Sequence, residues 1–172
     1  MSEGFQIFDP SQPPPFRSRR CAALLQHWNR LRGARDMPSR AEIDPAALKS
    51  ILPHIMMLTV ESEPFRVCYR LVGTEIVRFA KFDFTGRYAD ALNFQDEDGA
   101  DWTEYYRQAV AARRPGRGLV YWTIDGPLRR WIEFLVCPLS SDGIVIDRFI
   151  SIEDYEQLNL TEIDTLPRVF EQ

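Results

Sequence analysis

The stretch YRLVGTEIVRFAKFDFTGRYADAL, Tyr69–Leu92, packs a strand end, a short helix and a glycine turn into less than the length of a usual βα unit. Tyr69 to Val72 finishes a strand. Gly73 turns the chain out of it, and Thr74 is placed to cap a short helix that reaches Ala80. Phe82, Phe84 and Gly86 then mark irregular, aromatic-rich backbone. None of these residues is a nucleophile with a base beside it.

Upstream, the turn Ser62 to Pro64 separates two strand-like segments, His54 to Glu61 and Phe65 to Val72, and so short a link predicts an antiparallel hairpin. Before them, Asp44-Pro45 has the chemistry of a helix start, predicting a short helix from Pro45 to Leu52. Earlier still, Cys21, Leu24, Leu25, Trp28 and Leu31 recur at the spacing of one helix face between Arg17 and Arg32, with Gly33 as the stop. Residues 1–16 carry Pro10 and Pro13-Pro14-Pro15 and read as a flexible extended arm.

Downstream, Asp101-Trp-Thr-Glu104 is a capping-box pattern opening the longest internal helix, which carries Trp102, Tyr105, Tyr106, Ala109 and Val110. Arg113, Arg114 and Arg117 gather near its end, where cations meet the negative pole of the helix; helix termination accounts for them more cheaply than a phosphorylated ligand. Three strands are expected after it: Gly118 to Ile124, Arg130 to Pro138 and Ile144 to Ile152. A first hairpin symmetric about Gly126 and Pro127 would set Trp122 opposite Trp131. Residues 155–172 form an acidic tail. The domain plan is therefore 1–16 arm, 17–33 amphipathic helix, 34–154 folded domain and 155–172 tail.

The 172-residue chain, at 20.0 kDa, is one domain's worth of protein. A formal charge of −4 and a pI near 5.3 give no electrostatic reason to expect nucleic acid. Cys21, Cys68 and Cys137 are far apart and odd in number, so they read as reduced thiols in a cytoplasmic protein, and no apolar run reaches membrane-spanning length. His27 and His54 lack a second ligand at helical spacing, which leaves haem and metal unsupported. The acidic run Asp96–Asp101 fails as a calcium loop because Asp101 stands where glycine is needed and Arg107 where glutamate is needed.

The order of elements is that of a PAS domain, and the chain resembles the small single-domain bacterial PAS proteins. The resemblance is carried by Leu31-Arg-Gly33, Pro38-Ser-Arg-Ala-Glu-Ile-Asp-Pro45, Leu52-Pro-His-Ile55, Tyr69-Arg-Leu-Val-Gly-Thr74, Thr85-Gly-Arg87 and Cys137-Pro-Leu139, across about Leu24 to Ile152. It implies an α+β fold: a five-stranded antiparallel sheet in the order 2-1-5-4-3, counted from His54, with helices on one face and the N-terminal amphipathic helix besides. It brings no established catalytic residues. Gly73-Thr74 stands where many PAS domains carry Asn-x-Ala, and the photoreceptor motif Asn-Cys-Arg-Phe is absent, so flavin photochemistry is unsupported.

Within this plan the run Phe134-Leu-Val-Cys137 requires cover on both faces of its strand. The helix around Trp28 is the natural second cover, from the same chain or from another copy, and Leu24, Leu25, Trp28 and Leu31 are its interface candidates for a homodimer. A pocket for a small apolar ligand would lie between the longer helix and the sheet, with Phe79, Phe82, Tyr106, Trp122, Trp131, Glu133 and Phe134 as lining candidates; the competing reading is that these rings fill the core. Glu133 must face water or be held by a partner such as an arginine. The expected role is a sensory or regulatory module acting on a signalling partner by protein contact. The alternatives are a cavity enzyme using a buried Glu133 and a ligand-free adaptor, although no catalytic motif is present.

Overall fold

The computed structural model describes residues 3–92, 101–125 and 128–155, with side chains at 4–92, 101–121 and 130–155. The six described strands are β1 (Glu3–Ile7), β2 (Ile55–Ser62), β3 (Phe65–Val72), β4 (Gly116–Asp125), β5 (Leu128–Leu139) and β6 (Arg148–Asp154). They form one antiparallel sheet in the order β1-β4-β5-β6-β2-β3. Without β1 this is the five-strand order anticipated from the sequence. The arm expected to be flexible instead adds a sixth, edge strand through Glu3–Ile7, which pairs with β4.

Three α-helices are described: α1 (Arg19–Arg32), α2 (Thr74–Ala80) and α3 (Trp102–Ala112). Ser18 caps α1 by accepting from the Cys21 amide, and Gly33 ends it at a positive φ of 56°. Asp101 caps α3 by accepting from the Thr103 amide. Thr74 does not cap α2, because the cap position falls on Gly73, which has no side chain to offer.

β5 explains why the sheet has cover on both sides. Phe134, Leu135, Val136 and Cys137 are all fully buried, and successive side chains point to opposite faces. Phe134 faces α3, where its ring meets Trp102 at 4.5 Å and Tyr105 at 5.7 Å. Glu133, Leu135, Cys137 and Leu139 face the other way, beneath α1, and the Trp28 indole donates to the Pro138 carbonyl at 2.9 Å. Burying the α1 stripe of Cys21, Leu24, Leu25 and Trp28 contributes roughly 1.5–3 kcal/mol per large side chain. The second cover therefore comes from the same chain.

Several local expectations change. Residues Pro45 to Ile51 form turns closed by i to i+3 bonds, such as Leu48 amide to Pro45 carbonyl at 3.1 Å, and a 3-10 turn covers Leu52–His54. Ile144 and Val145 lie outside β6 and are exposed, because the Asp142 carboxylate takes both their amides at 2.8 Å and closes a loop there. The β4–β5 register sets Tyr121 opposite Trp131 and Trp122 opposite Arg130, with a shift between Thr123 and Asp125. That offset removes the expected Trp122–Trp131 pair. The turn residues 126–127, the acidic run 96–100 and the tail from 156 lie outside the described residues.

Gly73 has an ordinary φ of −61°, so its need is space rather than conformation. A Cβ there would stand 2.2 Å from the Pro53 carbonyl oxygen and 2.9 Å from that of Ile55, both backbone atoms. Its own amide donates to the Ile55 carbonyl at 2.8 Å, which holds the approach tight. Gly73→Ala is expected to destabilise the fold by about 1–3 kcal/mol through enforced backbone displacement, measured by urea denaturation. Unchanged stability would contradict the close approach.

Candidate functional site

Two consecutive rungs of the β5–β6 ladder place three carboxylates within the sheet, on its two opposite faces. In one, Glu133 pairs with Asp154; in the next, Phe134 pairs with Glu153. Strand alternation sends the first rung toward α1 and the second toward α3.

The α1 rung brings two carboxylates side by side with no exposure at either residue. Such a pair persists only when both charges are met. Arg117, itself buried, donates Nε to Glu133 Oε1 at 2.7 Å, with Nη2 also 2.7 Å from that oxygen. The backbone amides of Arg17 and Ser18 donate to Glu133 at 3.2 and 2.5 Å. On Asp154, the Ser18 hydroxyl donates at 2.6 Å and Arg20 Nη1 at 2.9 Å. The start of α1 is thus clamped onto two strands, its positive pole aimed at buried negative charge. Cys21 lies in this cluster, and its thiol is pushed well above the ordinary value by burial first and the Glu133 charge second. It is a structural thiol, not a nucleophile.

The α3 rung differs. Glu153 is partly buried beside Phe134, and desolvation alone pushes its carboxyl up to about 7. Its backbone carbonyl accepts from His54 Nδ1 at 3.1 Å. Deeper on this face the hydroxyls of Tyr69 and Tyr106 meet at 3.2 Å, both phenols raised by burial with Glu153 among the further contributions.

The pocket candidates divide between the faces. Phe134 and Tyr106 are fully buried on the α3 side, where Tyr106 also meets Phe149 at 5.5 Å. Phe79 stacks on Tyr155 at 3.8 Å, at the end of β6. Phe82 is 45% exposed and tilts against Phe84, so it lines the surface rather than the interior. Trp131 and Glu133 are corrected outright: both point to the α1 face, Trp131 against Tyr121 at 5.1 Å, because their odd-numbered positions on β5 alternate with Phe134. Glu133 is held by the arginine anticipated for it, outside the space between α3 and the sheet. The Trp122 side chain lies outside the described residues. Of the interface candidates, Leu24, Leu25 and Trp28 are buried against the chain's own sheet, and Leu31 packs at the margin of that core.

Sequence reasoning passed over Arg117, Asp154 and Glu153. Arg117 had the appearance of a helix-end cation. Asp154 and Glu153 follow an apolar strand, and only the alternation Ile150, Ile152, Asp154 against Ser151, Glu153 hints that both carboxylates are inside the sheet.

Among the described residues no group of His, Cys, Asp and Glu could hold a metal, and no helix is long and apolar enough to cross a membrane. An antiparallel sheet with α3 across one face, short helical segments beside it and a helix over the other face defines a PAS-like α+β domain. The chain belongs to the PAS domain family, whose model matches residues 16–149. Among solved structures, a light-oxygen-voltage domain studied with a flavin analogue aligns with a TM-score of 0.51 at 11% identity, covering 69% of this chain and 88% of that one. The light-state Aureochrome1 LOV domain gives 0.45 at 12%, over 64% and 86%. An RNA-binding light-oxygen-voltage receptor gives 0.47 at 16%, over 70% of this chain and 36% of its own. At these identities the similarity concerns the fold. Among curated proteins no match is found.

The raised Glu153 carboxyl has a pH consequence. Its folded value near 7 lies above the ordinary 4.5, so the folded state holds the proton more tightly and stability falls as pH rises from about 4.5 to 7. Glu153→Gln, which stays neutral, is expected to be about 1–3 kcal/mol more stable than the parent at pH 8 and nearly equal to it at pH 4, by urea denaturation at both pH values. Equal stability at pH 8 would refute the desolvated carboxyl.

Proposed function

We propose that this PAS domain is a sensory or regulatory module whose input acts between α3 and the sheet and whose output is a protein contact made at α1. The observation that supports this most is the pair of adjacent rungs: Phe134 and Glu153 look inward, while Glu133 and Asp154, one residue away on the same strands, hold the start of α1. A displacement or charge change on the inner rung reaches the clamp through a single peptide unit on each strand. Both sites bias one element, which is the physical requirement for coupling.

The inner input is a small apolar ligand, received among Tyr106, Phe134 and their neighbours, or a change in the protonation of Glu153. The outward side of α1 exposes Arg19, Ala23, Gln26 and Arg30, a basic strip that fits a partner surface bearing acids. Nothing in the site arranges a nucleophile and base, so binding is the better reading than catalysis.

The coupling is tested by NMR on Glu153→Gln. Amide shifts are expected at Arg17 to Cys21 as well as around residue 153; shifts confined to the α3 face would overturn the reading. Self-association is included in the proposal, on a surface other than the buried stripe. Light scattering should then give twice the chain mass, and the single-chain mass at every concentration would remove it.

A further inference from the structure

The ring that fills the space beside Phe134 comes from β1. Phe5 stacks on Tyr105 at 4.7 Å with planes 24° apart, and lies parallel to Phe134 at 5.9 Å with planes 2° apart. Gly116 forms its floor: a Cβ at that position would stand 2.0 Å from the Phe5 ring. Trp102 closes the far side against Phe134. Arg117 and Glu133 pair with each other on the opposite face of the sheet, so neither charge borders Phe5, whose described neighbours are aromatic rings and Gly116.

Three features make Phe5 replaceable. β1 is a five-residue edge strand paired on one side only. Its ladder with β4 breaks register between Glu3 and Gln6, while Ile7 remains paired with Gly116 and the Phe8 amide remains on the Pro115 carbonyl. The chain can therefore hinge at the break, with Phe8 still anchored in the core. Finally, the family match begins at residue 16, so β1 lies outside the matched span.

We infer that Phe5 is a self-supplied occupant of a binding slot between Tyr105, Phe134 and Gly116, and that a neutral, flat aromatic molecule of one ring exchanges with it, releasing Glu3 to Phe5 from the sheet edge. The inference rests on the inner-face input proposed above and specifies the ligand's class and seat. Exchange is feasible because the ligand recovers the stacking that Phe5 gives up, and the chain entropy regained by the first residues of β1 offsets part of the ligand's loss of free motion.

The test uses the full chain with toluene as probe, followed by NMR. Phe5→Ala is expected to bind toluene about tenfold or more tightly than the parent, since no ring has to be expelled, with shifts centred on Tyr105, Gly116 and Phe134. Toluene at saturation should break the pairing of Glu3 with Leu119 in the parent chain, read as β1 exchange protection lost ahead of the register break, while Ile7 stays paired with Gly116. Phe5→Ala combined with Gly116→Ala puts a methyl into the slot and should lose the gain in binding while keeping the parent's far-UV spectrum. Equal affinity of parent and Phe5→Ala, shifts elsewhere, or a saturated parent with β1 still protected would each overturn the slot. Those outcomes leave the coupling between Glu153 and α1 standing, because that is read at Arg17 to Cys21 without toluene.

Discussion

β5 is a strand with no solvent side over its central residues, and the rest of the architecture follows from that. Four consecutive apolar side chains, Phe134 to Cys137, have to be removed from water on two opposite faces. One helix can satisfy only one face. α3 covers Phe134 and Val136, and α1 covers Leu135 and Cys137, so the N-terminal helix is as much part of the core as the helix inside the domain. The polar cost of seating α1 is met at its first turn. The amides of Arg17 and Ser18 would be orphan donors under a sheet; Glu133 accepts them, and Arg117 offsets the charge that Glu133 brings.

The same alternation turns the sheet into a thin partition between two environments. On its α1 side the carboxylates are paired, and on its α3 side burial raises the carboxyl of the partly buried Glu153, which has no ion pair among the described residues. A partly buried carboxyl whose proton affinity is raised to about 7 beside an aromatic cluster is a group whose charge state can change near neutral pH. That asymmetry is why the inner rung reads as input and the outer rung as a clamp.

Much of this was legible in the sequence where a signal is local. Helix spacing placed α1, the Asp101 cap placed α3, and the continuous run in β5 foretold two-sided burial. What depends on register was not legible. Trp122 lost its expected partner because a register shift between Thr123 and Asp125 offsets β4 against β5, and no composition signal reports such a shift; Trp131 and Glu133 share the face opposite Phe134 through the strict alternation of β5, which the sequence does carry. β1 was hidden for a related reason: prolines downstream of it suggested an arm, whereas pairing with β4 and the fit of Phe5 over Gly116 are tertiary effects. Ile144 and Val145 read as strand by propensity, yet a single acceptor, Asp142, holds their amides in a loop.

The central claim is that α1 is an integral cover of β5. Native-state hydrogen exchange on the intact chain compares the two directly. If α1 belongs to the core, the amides from Leu24 to Trp28 exchange with the same opening free energy as those from Phe134 to Cys137, both at the global value. Exchange of the α1 amides orders of magnitude faster, with β5 still protected, would show that the helix is an appendage and contradict the account.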